Sequence, residues 1–417
     1  MTELNRRDFL RNAMMGTAAL AWPEWMPRMS FSPSGEEQRG DVLVVIFLRG
    51  AADVLNIIVP HGDEGYYAAR PTINIPRPDD NKIEKAFRSI DLDGFFGLHP
   101  ALASLQDMWQ DQNLGIIHAV GAPDESRSHF KAMELMERGV SDETGPASGW
   151  IGRHLASHDT GNPSPLRAIG LGENVPRSLY GSVPVTAMRS IIDFHLWGDT
   201  RAAQQMKKSL RALYAGEDTL SRVGKETLDI LDTVSDLDPE SYRPDSERVY
   251  PESDFGRGLS QIAMLVKAQV GLEVATVDVG GWDTHFGQGG VEGLMANLLR
   301  NLGEGLSAFY ADLHQYHDKL NVVVMSEFGR RVQENASLGT DHGHGSAMFL
   351  IGSNVVGGKV HGNWPGLSQY QLFGPGDLAA TIDYRDVLSE LLEKRMNNKM
   401  FDQIFPDHKV QSHGFLY

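Results

Sequence analysis

The second half of the chain alternates between helical and strand-like segments, and this alternation constrains the fold more than any other feature. Apolar residues recur at helical spacing over 256–270 and 291–315. Short runs rich in β-branched or apolar residues separate and follow these segments, at 274–279, 322–325 and 347–351. Such alternation is typical of a parallel sheet with helices on both faces, so we predict an α/β fold.

The rest of the chain continues this alternation less regularly. The further predicted elements are strand 41–48, helix 101–112, strand 114–120, a helix from near Ser128, strand 166–171 and a last helix over 383–396. Residues 199–250 differ, because they are rich in Lys, Arg, Glu and Asp and have mostly helical periodicity. We interpret this stretch as a helical insertion packed over the main sheet.

Bulk composition argues against several classes of protein. The 417 residues, 41% of them hydrophobic, can bury the core of one large domain or of two ordinary ones. A formal net charge of −17 and the lack of any Lys/Arg-rich block argue against a nucleic-acid partner. Because the chain has no cysteine, disulfides, thiolate metal ligands and cysteine nucleophiles are excluded.

The N-terminus predicts export. Arg6 and Arg7 precede a mildly apolar stretch over 13–22 that contains a small-residue cleavage pattern. This order is typical of a signal read by the twin-arginine export machinery, which would place the protein in the periplasm or otherwise outside the cytoplasm. The alternative is a basic amphipathic arm. No run reaches the roughly 18 apolar residues of a membrane span. We therefore predict a signal peptide and linker over 1–40 and a domain over 41–417 without a stable membrane span.

The densest group of chemically active residues is Asp341, His342 and His344, which come just before the apolar run 347–351. Carboxylate oxygen and imidazole nitrogen are ligands for Zn²⁺, Mn²⁺ and non-haem iron. The alternative is a polar turn whose glycines serve the backbone alone. We predict contact with a metal or a substrate, and we rank His344 first because the strand after it would hold it rigidly.

Two further groups follow predicted strands. Asp283 and His285 lie in a glycine-rich loop after 274–279, and their spacing lets both side chains reach one ion. The alternative is an Asp that stabilises the turn beside an exposed His. Asp53 follows the first strand in the same way, either as a metal ligand or as the ion-pair partner of Arg49.

Glu327 and Arg330 come directly after 322–325, with Arg330 expected in the first turn of a helix. We predict that Glu327 binds metal and that Arg330 holds an anionic substrate, the alternative being an ion pair between the two. Ser128 opens a helix, either as its N-cap or as a metal-activated nucleophile whose oxyanion the helix N–H groups stabilise. His129 could support the site or lie on the surface.

Five motifs of the chain carry a family resemblance. They are Arg49-Gly50-x-x-Asp53-x-Leu55-Asn56, Ser126-Arg127-Ser128-His129-Phe130, Gly281-Trp282-Asp283-Thr284-His285, Ser326-Glu327-Phe328-Gly329-Arg330 and Asp341-His342-Gly343-His344-Gly345. In this order they resemble the bacterial domain-of-unknown-function family 1501, over about residues 41–396. That family is twin-arginine exported and is distantly similar to the alkaline phosphatase and sulfatase superfamily.

The superfamily resemblance implies a fold and a set of site residues. The fold would be an alkaline-phosphatase-like, three-layer α/β/α sandwich with a mostly parallel central sheet, here with the helical insertion. The implied roles are Asp53 as first ligand, Ser128 as nucleophile, Asp283 with His285 as a ligand pair, and Glu327 and His344 as later ligands. Position 328 is Phe where the superfamily has His, so one ligand is missing unless His342 substitutes. The site would hold one or two divalent ions, among Zn, Mn, Fe, Mg and Ca.

We therefore expect an exported, metal-dependent hydrolase of phosphate or sulfate esters, or of related anionic groups on small molecules or polymers. The metal would activate the attacking Ser or water, and the cation together with Arg330 would hold the developing charge. The alternative, from another class, is a non-catalytic periplasmic or cell-surface binding protein on the same fold. Bound metal and turnover of aryl esters would distinguish the two.

Overall fold

The structure, a computed structural model, describes residues 40–417 except 163, 173–174, 184, 189, 192–199 and 238–240. Residues 1–39, which include the predicted signal peptide, lie outside the described residues. None of the described helices combines the length and the apolarity that crossing a lipid bilayer would require.

The described residues form fourteen strands, nine of which belong to one large sheet. The strands are β1 Val42–Leu48, β2 Ile58–Val59, β3 Ile90–Asp91, β4 Gly97–Leu98, β5 Leu114–Gly121, β6 Ala168–Leu171, β7 Thr186–Met188, β8 Val274–Val279, β9 Leu320–Ser326, β10 Arg330–Glu334, β11 Thr340–His342, β12 Ser346–Ile351, β13 Lys359–His361 and β14 Ile382–Asp383. The large sheet has the order β13-β5-β12-β9-β1-β8-β6-β7, and β14 also pairs with β5.

Helices connect most of these strands. The α-helices of the described residues are α1 Val54–Ile57, α2 Glu64–Ala69, α3 Gln106–Gln110, α4 His129–Arg138, α5 Trp150–Ser157, α6 Thr200–Leu213, α7 Thr219–Asp236, α8 Asp254–Lys267, α9 Leu294–Asp312, α10 Tyr384–Lys394 and α11 Phe401–Ile404. Short 3₁₀ turns lie at Lys85–Phe87, Pro100–Leu105, Arg177–Leu179 and His314–Tyr316.

Helices cover both faces of the large sheet. In β1, Val44 and Ile46 pack in the same cluster as Leu259 of α8, whereas Val45 on the other face packs in the cluster that holds Leu388 of α10. Successive strand side chains point to opposite faces, so a strand buried on both faces reads as one continuous apolar run. This burial pattern confirms the predicted three-layer α/β/α sandwich.

The sheet is mostly parallel, as predicted, with one exception. Strand β1 runs parallel to β8 and β9, and β6 runs parallel to β7 and β8. Strand β12 runs antiparallel to both of its neighbours, β5 and β9. The reason is the connection, because β10 and β11 return the chain as a hairpin where a parallel pairing would need a longer crossover.

Two predicted elements take a different form in the structure. The helix expected over 101–112 is a 3₁₀ turn followed by the short helix α3, because the backbone leaves helical geometry at Leu102 (φ −96°, ψ 18°). Arg330 does not enter a helix, since it begins strand β10, in which buried Arg330 and Val332 alternate with more exposed residues. Within 199–250, helices α6 and α7 form, and Val234 of α7 joins the core cluster on one face of the sheet.

Candidate metal site

The residues singled out in the sequence gather at one edge of the large sheet. Strands β1, β8 and β9 run in the same direction, so the loops after them, which carry Asp53, Asp283 and Glu327, leave from one edge. Antiparallel β12 begins at that edge, which brings the preceding residues His342 and His344 to the same place. Binding sites of open α/β sheets lie at this carboxyl edge.

Glycine allows two segments of this edge to approach closely. A Cβ at Gly343 would lie 2.4 Å from the carbonyl carbon of Arg330, and a Cβ at Gly329 would overlap the carbonyl oxygen of Gly345. The turn after β9 and the stretch that leads into β12 therefore pack backbone to backbone. This packing explains the glycines of the Asp-His-Gly-His-Gly motif and places His342 over the end of β9.

Three imidazoles at this edge each direct Nδ1 at an oxygen acceptor. His129 Nδ1 lies 2.7 Å from Glu327 Oε1, and His285 Nδ1 lies 3.3 Å from Asp341 Oδ1. His342 Nδ1 lies 2.8 Å from the backbone carbonyl oxygen of Arg127. Because a carbonyl or carboxylate oxygen can only accept, each Nδ1 is placed to carry a hydrogen, and a ring that is neutral then has its lone pair on Nε2. The hydrogen bond to Glu327 raises the pKa of His129, so this ring reaches the neutral form less readily than the others unless a cation replaces the proton on Nε2.

The Nε2 atoms of these rings converge on one carboxylate oxygen. Asp283 Oδ1 lies 3.1 Å from His285 Nε2, 3.2 Å from His342 Nε2 and 3.5 Å from His129 Nε2. His285 Nε2 and His342 Nε2 are 2.8 Å apart. Ligand atoms around a tetrahedral Zn²⁺ are roughly 3.3 Å apart, as Zn–N bonds of about 2.0–2.1 Å require. The atoms of His129, Asp283 and His342 form one compact group of possible ligand atoms, and His285 Nε2 lies next to two of its members, Asp283 Oδ1 and His342 Nε2.

Two further observations fit a cation at the centre of this group. Two nitrogen lone pairs at 2.8 Å repel each other unless a proton or a cation lies between them. His129 Nε2 is buried and has no hydrogen-bond partner in the described part of the chain. A cation would satisfy all three imidazoles, and His129, Asp283 and His342 form a group whose ligand atoms all lie within 4.8 Å of one another.

The protonation states suit metal binding. Burial raises the pKa of Asp283, but the hydrogen bond from Arg330 and the positive charge of that guanidinium, with the neighbouring imidazoles, outweigh burial and lower the pKa to about 2. Burial also lowers the pKa of His342 from its usual value, which keeps the ring neutral. Burial is the largest effect on Glu327 and raises its pKa, but hydrogen bonds from His129 and from backbone N–H groups, including those of Ala51 and Gly50, together outweigh burial and lower the pKa. Asp283 and Glu327 are thus carboxylates near neutral pH.

Glu327 and Asp341 lie behind the histidines and do not face the centre of the group. The Glu327 side chain is completely buried and accepts hydrogen bonds from His129 Nδ1 and from the backbone N–H of Gly50. Asp341 accepts from His285. Their predicted role as ligands stays a prediction. In this structure each carboxylate stands behind a histidine, a position from which it can orient the ring and raise its basicity.

Asp53 is also placed differently from the prediction. It is 1% exposed, and Arg70 donates to both of its oxygens, with Nη1–Oδ2 at 2.6 Å and Nη2–Oδ1 at 2.8 Å. Gln288 donates to Oδ2 as well. Arg49, the alternative partner, pairs instead with Glu137 and with Asp278. Asp53 therefore belongs to a buried ion pair and does not face the imidazole group.

Arg330 cannot hold a substrate in this structure. Its guanidinium is buried and donates to the backbone carbonyls of Ala51, Gly50, Trp282 and Thr340, and to Asp283 Oδ1 at 2.6 Å. The alternative ion pair with Glu327 does not form either, because Glu327 binds His129. In this structure Arg330 fixes Asp283 and joins the loops that carry the site, and its predicted contact with a substrate stays a prediction.

His344 and Ser128 lie beside the group. The His344 ring packs on Phe373, with centroids 4.7 Å apart, and burial lowers its pKa. It is not a member of the compact group of His129, Asp283 and His342. Ser128 is exposed at the N-cap position of α4, but its side chain makes no capping hydrogen bond. Its predicted role as a nucleophile stays a prediction.

His129 lies closer to the centre of the candidate site than its place in the sequence indicates. It is the first residue of α4, the helix that follows β5, so it stands at the same edge of the sheet as Asp283 and His342. The sequence signal that could have identified His129 as a site residue is its position shortly after a strand, whereas the serines next to it indicate only a helix N-cap. Phe130 and Phe286, which follow His129 and His285 in the sequence, are 86% and 78% exposed.

Comparison with known proteins identifies a family. Residues 41–396 match the family described as "Protein of unknown function (DUF1501)", which confirms the predicted resemblance. No match to a curated protein was found. A solved structure of Ps i-CgsB in complex with k-i-k-neocarrahexaose is 9% identical, covers 89% of this chain and 73% of its own, and has a TM-score of 0.38.

Two further solved structures are similar to the same degree. The C-terminal periplasmic domain of EptC from Escherichia coli, in complex with Zn, is 11% identical over 78% of this chain and 76% of that chain, with a TM-score of 0.30. The alkaline phosphatase of the Antarctic bacterium TAB5 is 9% identical over 76% of this chain and 92% of that chain, with a TM-score of 0.32. All three similarities are weak, and the fold described above rests on the sheet and its helical layers alone.

Proposed function

The chain belongs to the family of proteins of unknown function DUF1501, and for this member we propose an exported, metal-dependent hydrolase of phosphate or sulfate esters or related anionic groups. One observation supports it above all others, namely the convergence of three imidazole Nε2 atoms on Asp283 Oδ1 while every Nδ1 is held by an oxygen. His129, Asp283, His285 and His342 would be the ligands.

The charge of this ligand set favours an anionic substrate. Three neutral imidazoles and one carboxylate carry a single negative charge, so a divalent cation would keep a net positive charge at the site. When bound, such a cation supplies a Lewis acid and a more acidic water. Arg330 supports this by binding Asp283 Oδ1, which draws negative charge away from the cation. Nitrogen-rich donor sets favour Zn²⁺ or iron over Mg²⁺ or Ca²⁺.

The chain's own residues would control geometry and access. Glu327 and Asp341 orient His129 and His285 and strengthen them as ligands. The side chains of Asp283 and His285 are 48% and 38% exposed, so a substrate could reach the ion. Phe130 and Phe286, exposed aromatic residues next to His129 and His285 in the sequence, would form an apolar rim that favours an ester whose other group is apolar or aromatic.

Metal analysis combined with ester hydrolysis tests this function. Purified protein is expected to retain Zn, Mn or Fe and to release nitrophenol from a nitrophenyl phosphate or sulfate, because the aryl group suits the apolar rim. Chelation should abolish turnover, and metal should restore it. Ser128→Ala should keep the metal and lose turnover if Ser128 is the nucleophile, with little loss of stability because its side chain makes no capping bond.

The outcomes separate the proposal from its alternative. If the purified protein retains metal but hydrolyses none of these esters, the non-catalytic binding protein is the better interpretation. That function is the second candidate because Arg330 donates its hydrogen bonds to backbone carbonyls of the protein itself and not to a substrate. Protein that neither retains nor binds divalent metal would contradict the metal centre itself.

Export is the remaining part of the proposal and rests on the sequence around Arg6 and Arg7. Replacing both arginines with lysine is expected to leave folded protein in the cytoplasm, because paired arginines are the feature of a twin-arginine signal. Fractionation of cells followed by immunoblotting would measure this, with a single Arg11→Lys variant as the control. Unchanged periplasmic recovery of the double variant would contradict the export pathway.

A further inference from the structure

A single buried carboxamide lies between the two segments that carry most of the proposed ligands. Gln288, in the loop between β8 and α9, has an exposed fraction of 0%. Its Oε1 accepts hydrogen bonds from Thr284 Oγ1 at 2.8 Å and from Thr340 Oγ1 at 3.0 Å. Its Nε2 donates to Asp53 Oδ2 at 2.6 Å. All three of these partners are buried.

The two threonines stand next to the ligands. Thr284 lies between Asp283 and His285, and Thr340 lies two residues before His342. The segments also bond through their backbones, since the N–H of Thr340 donates to the carbonyl oxygen of Thr284 at 3.3 Å. The Gln288 side chain therefore joins both ligand-bearing segments through one oxygen atom.

The other end of this network is firmly held. Asp53 accepts from both terminal nitrogens of Arg70, and Arg70 Nε donates to the carbonyl oxygen of Val332 in β10 at 2.8 Å. Because Asp53 acts as acceptor toward Arg70, the amide nitrogen of Gln288 must face it and the amide oxygen must face the hydroxyls. The orientation of the carboxamide is thus determined by its partners.

The hydrogen bonds of Gln288 oppose a repulsion between two imidazole nitrogens at the site. Without a cation, the Nε2 lone pairs of His285 and His342 would push their segments apart from a separation of 2.8 Å. We propose that Gln288 is a positioning residue that holds these two segments at metal-binding distance before the metal arrives, an inference that rests on the proposed metal centre. Such preorganisation would raise metal affinity, because the site need not be assembled on binding.

Threonine variants test this inference without opening a large cavity. Thr284→Val and Thr340→Val remove the hydroxyl donors to Gln288, whereas Thr284→Ser and Thr340→Ser keep them. Gln288→Met removes all three hydrogen bonds at similar length. Thr186→Val is the matched control, because Thr186 is 7% exposed and donates to the carbonyl oxygen of Pro165, in β7 away from the site.

Two measurements are made on each variant. Zn²⁺ affinity, from competition with a chromophoric chelator, should fall about 10–100-fold in both valine variants and in Gln288→Met, as for other residues that support ligands. It should stay within about threefold of wild type in the serine variants and in Thr186→Val. Ring ¹⁵N resonances of His285 and His342 in metal-free protein should shift in the same three variants, because their Nδ1–H tautomers are then less strictly held.

The outcomes decide between positioning and simple packing. If the valine variants and Gln288→Met lose thermal stability as Thr186→Val does, while Zn²⁺ affinity and ring resonances stay as in wild type, the positioning role is wrong. If wild type binds no Zn²⁺, the proposed metal centre fails on its own account, and the ring resonances still decide whether Gln288 positions the histidines. Should Gln288→Met not fold, the valine and serine pairs carry the comparison.

Discussion

His342→Ala is expected to strip the protein of metal and of any hydrolytic activity. The variant removes one of four proposed ligand atoms and leaves Asp283 and His285 without their neighbour 2.8–3.2 Å away. If four ligands share a binding free energy of about 10–16 kcal/mol, the loss of one weakens affinity by roughly 10²–10³-fold. Elemental analysis and metal titration measure the effect. His129→Ala should behave in the same way.

His344→Ala is the matched control for this prediction. The superfamily resemblance makes His344 a ligand, but the structure packs its ring on Phe373 and leaves it outside the compact ligand group. We therefore expect His344→Ala to retain its metal. If His344→Ala loses the metal and His342→Ala keeps it, the ligand set proposed from the geometry is wrong and the assignment from resemblance is right.

The protein is expected to lose much of its stability between pH 6.5 and pH 4. Burial lowers the pKa of His99 and of His118 to about 4, and that of His154 to about 3, because a charged ring is disfavoured in the core. In the unfolded chain these histidines have a pKa of about 6.5, so the unfolded chain binds more protons than the folded chain between about pH 6.5 and pH 4. The free energy of unfolding is therefore at its full value above about pH 6.5 and decreases as the pH is lowered.

The expected size of this effect is large. A histidine whose pKa falls from about 6.5 to about 4 on folding costs about 2 kcal/mol of stability at pH 5. With three such residues, the total is a large part of the roughly 5–15 kcal/mol that stabilises a folded domain. Urea unfolding at pH 7.5 and at pH 5 measures the difference.

A variant of one of these histidines provides the control. The His118 ring stacks on Phe96, with centroids 5.2 Å apart, so Phe at 118 keeps a ring of similar size and removes the titrating group. His118→Phe should lose about 2 kcal/mol less than wild type between pH 7.5 and pH 5, whatever its stability at pH 7.5. An identical loss in both proteins would show that His118 does not contribute to the acid sensitivity.

The strands could be predicted because a strand buried on both faces is a run of mostly apolar residues in the sequence. Strand β1 is buried on both faces and reads as seven consecutive apolar residues, and the runs of β8, β9 and β12 are of the same kind. The direction of β12 could not be predicted in this way. Whether a strand returns parallel or antiparallel depends on the connection before it, and the sequence predicts Arg330 in the first turn of a helix where the structure begins the hairpin of β10 and β11.

The location of the candidate site could be predicted from the sequence, but the role of each residue in it could not. Polar residues that follow parallel strands must meet at one edge, so Asp283, His285 and His342 could be brought together from the sequence. The sequence also indicates that His129 begins a helix. Its neighbouring residues do not show that its ring lies beside Asp283, which is 154 residues further along the chain.

By itself, the sequence determined the layers of the fold, the edge where ligand-type residues collect and the family to which the chain belongs. Only the tertiary structure decided which of those residues face the centre of the candidate site and which stand behind them. Glu327 and Asp283 are both carboxylates after parallel strands, yet Glu327 binds the Nδ1 side of His129 and Asp283 faces the Nε2 side of three rings. That difference depends on distances of a few ångströms between segments far apart in the chain, and hydrophobic periodicity carries no information about them.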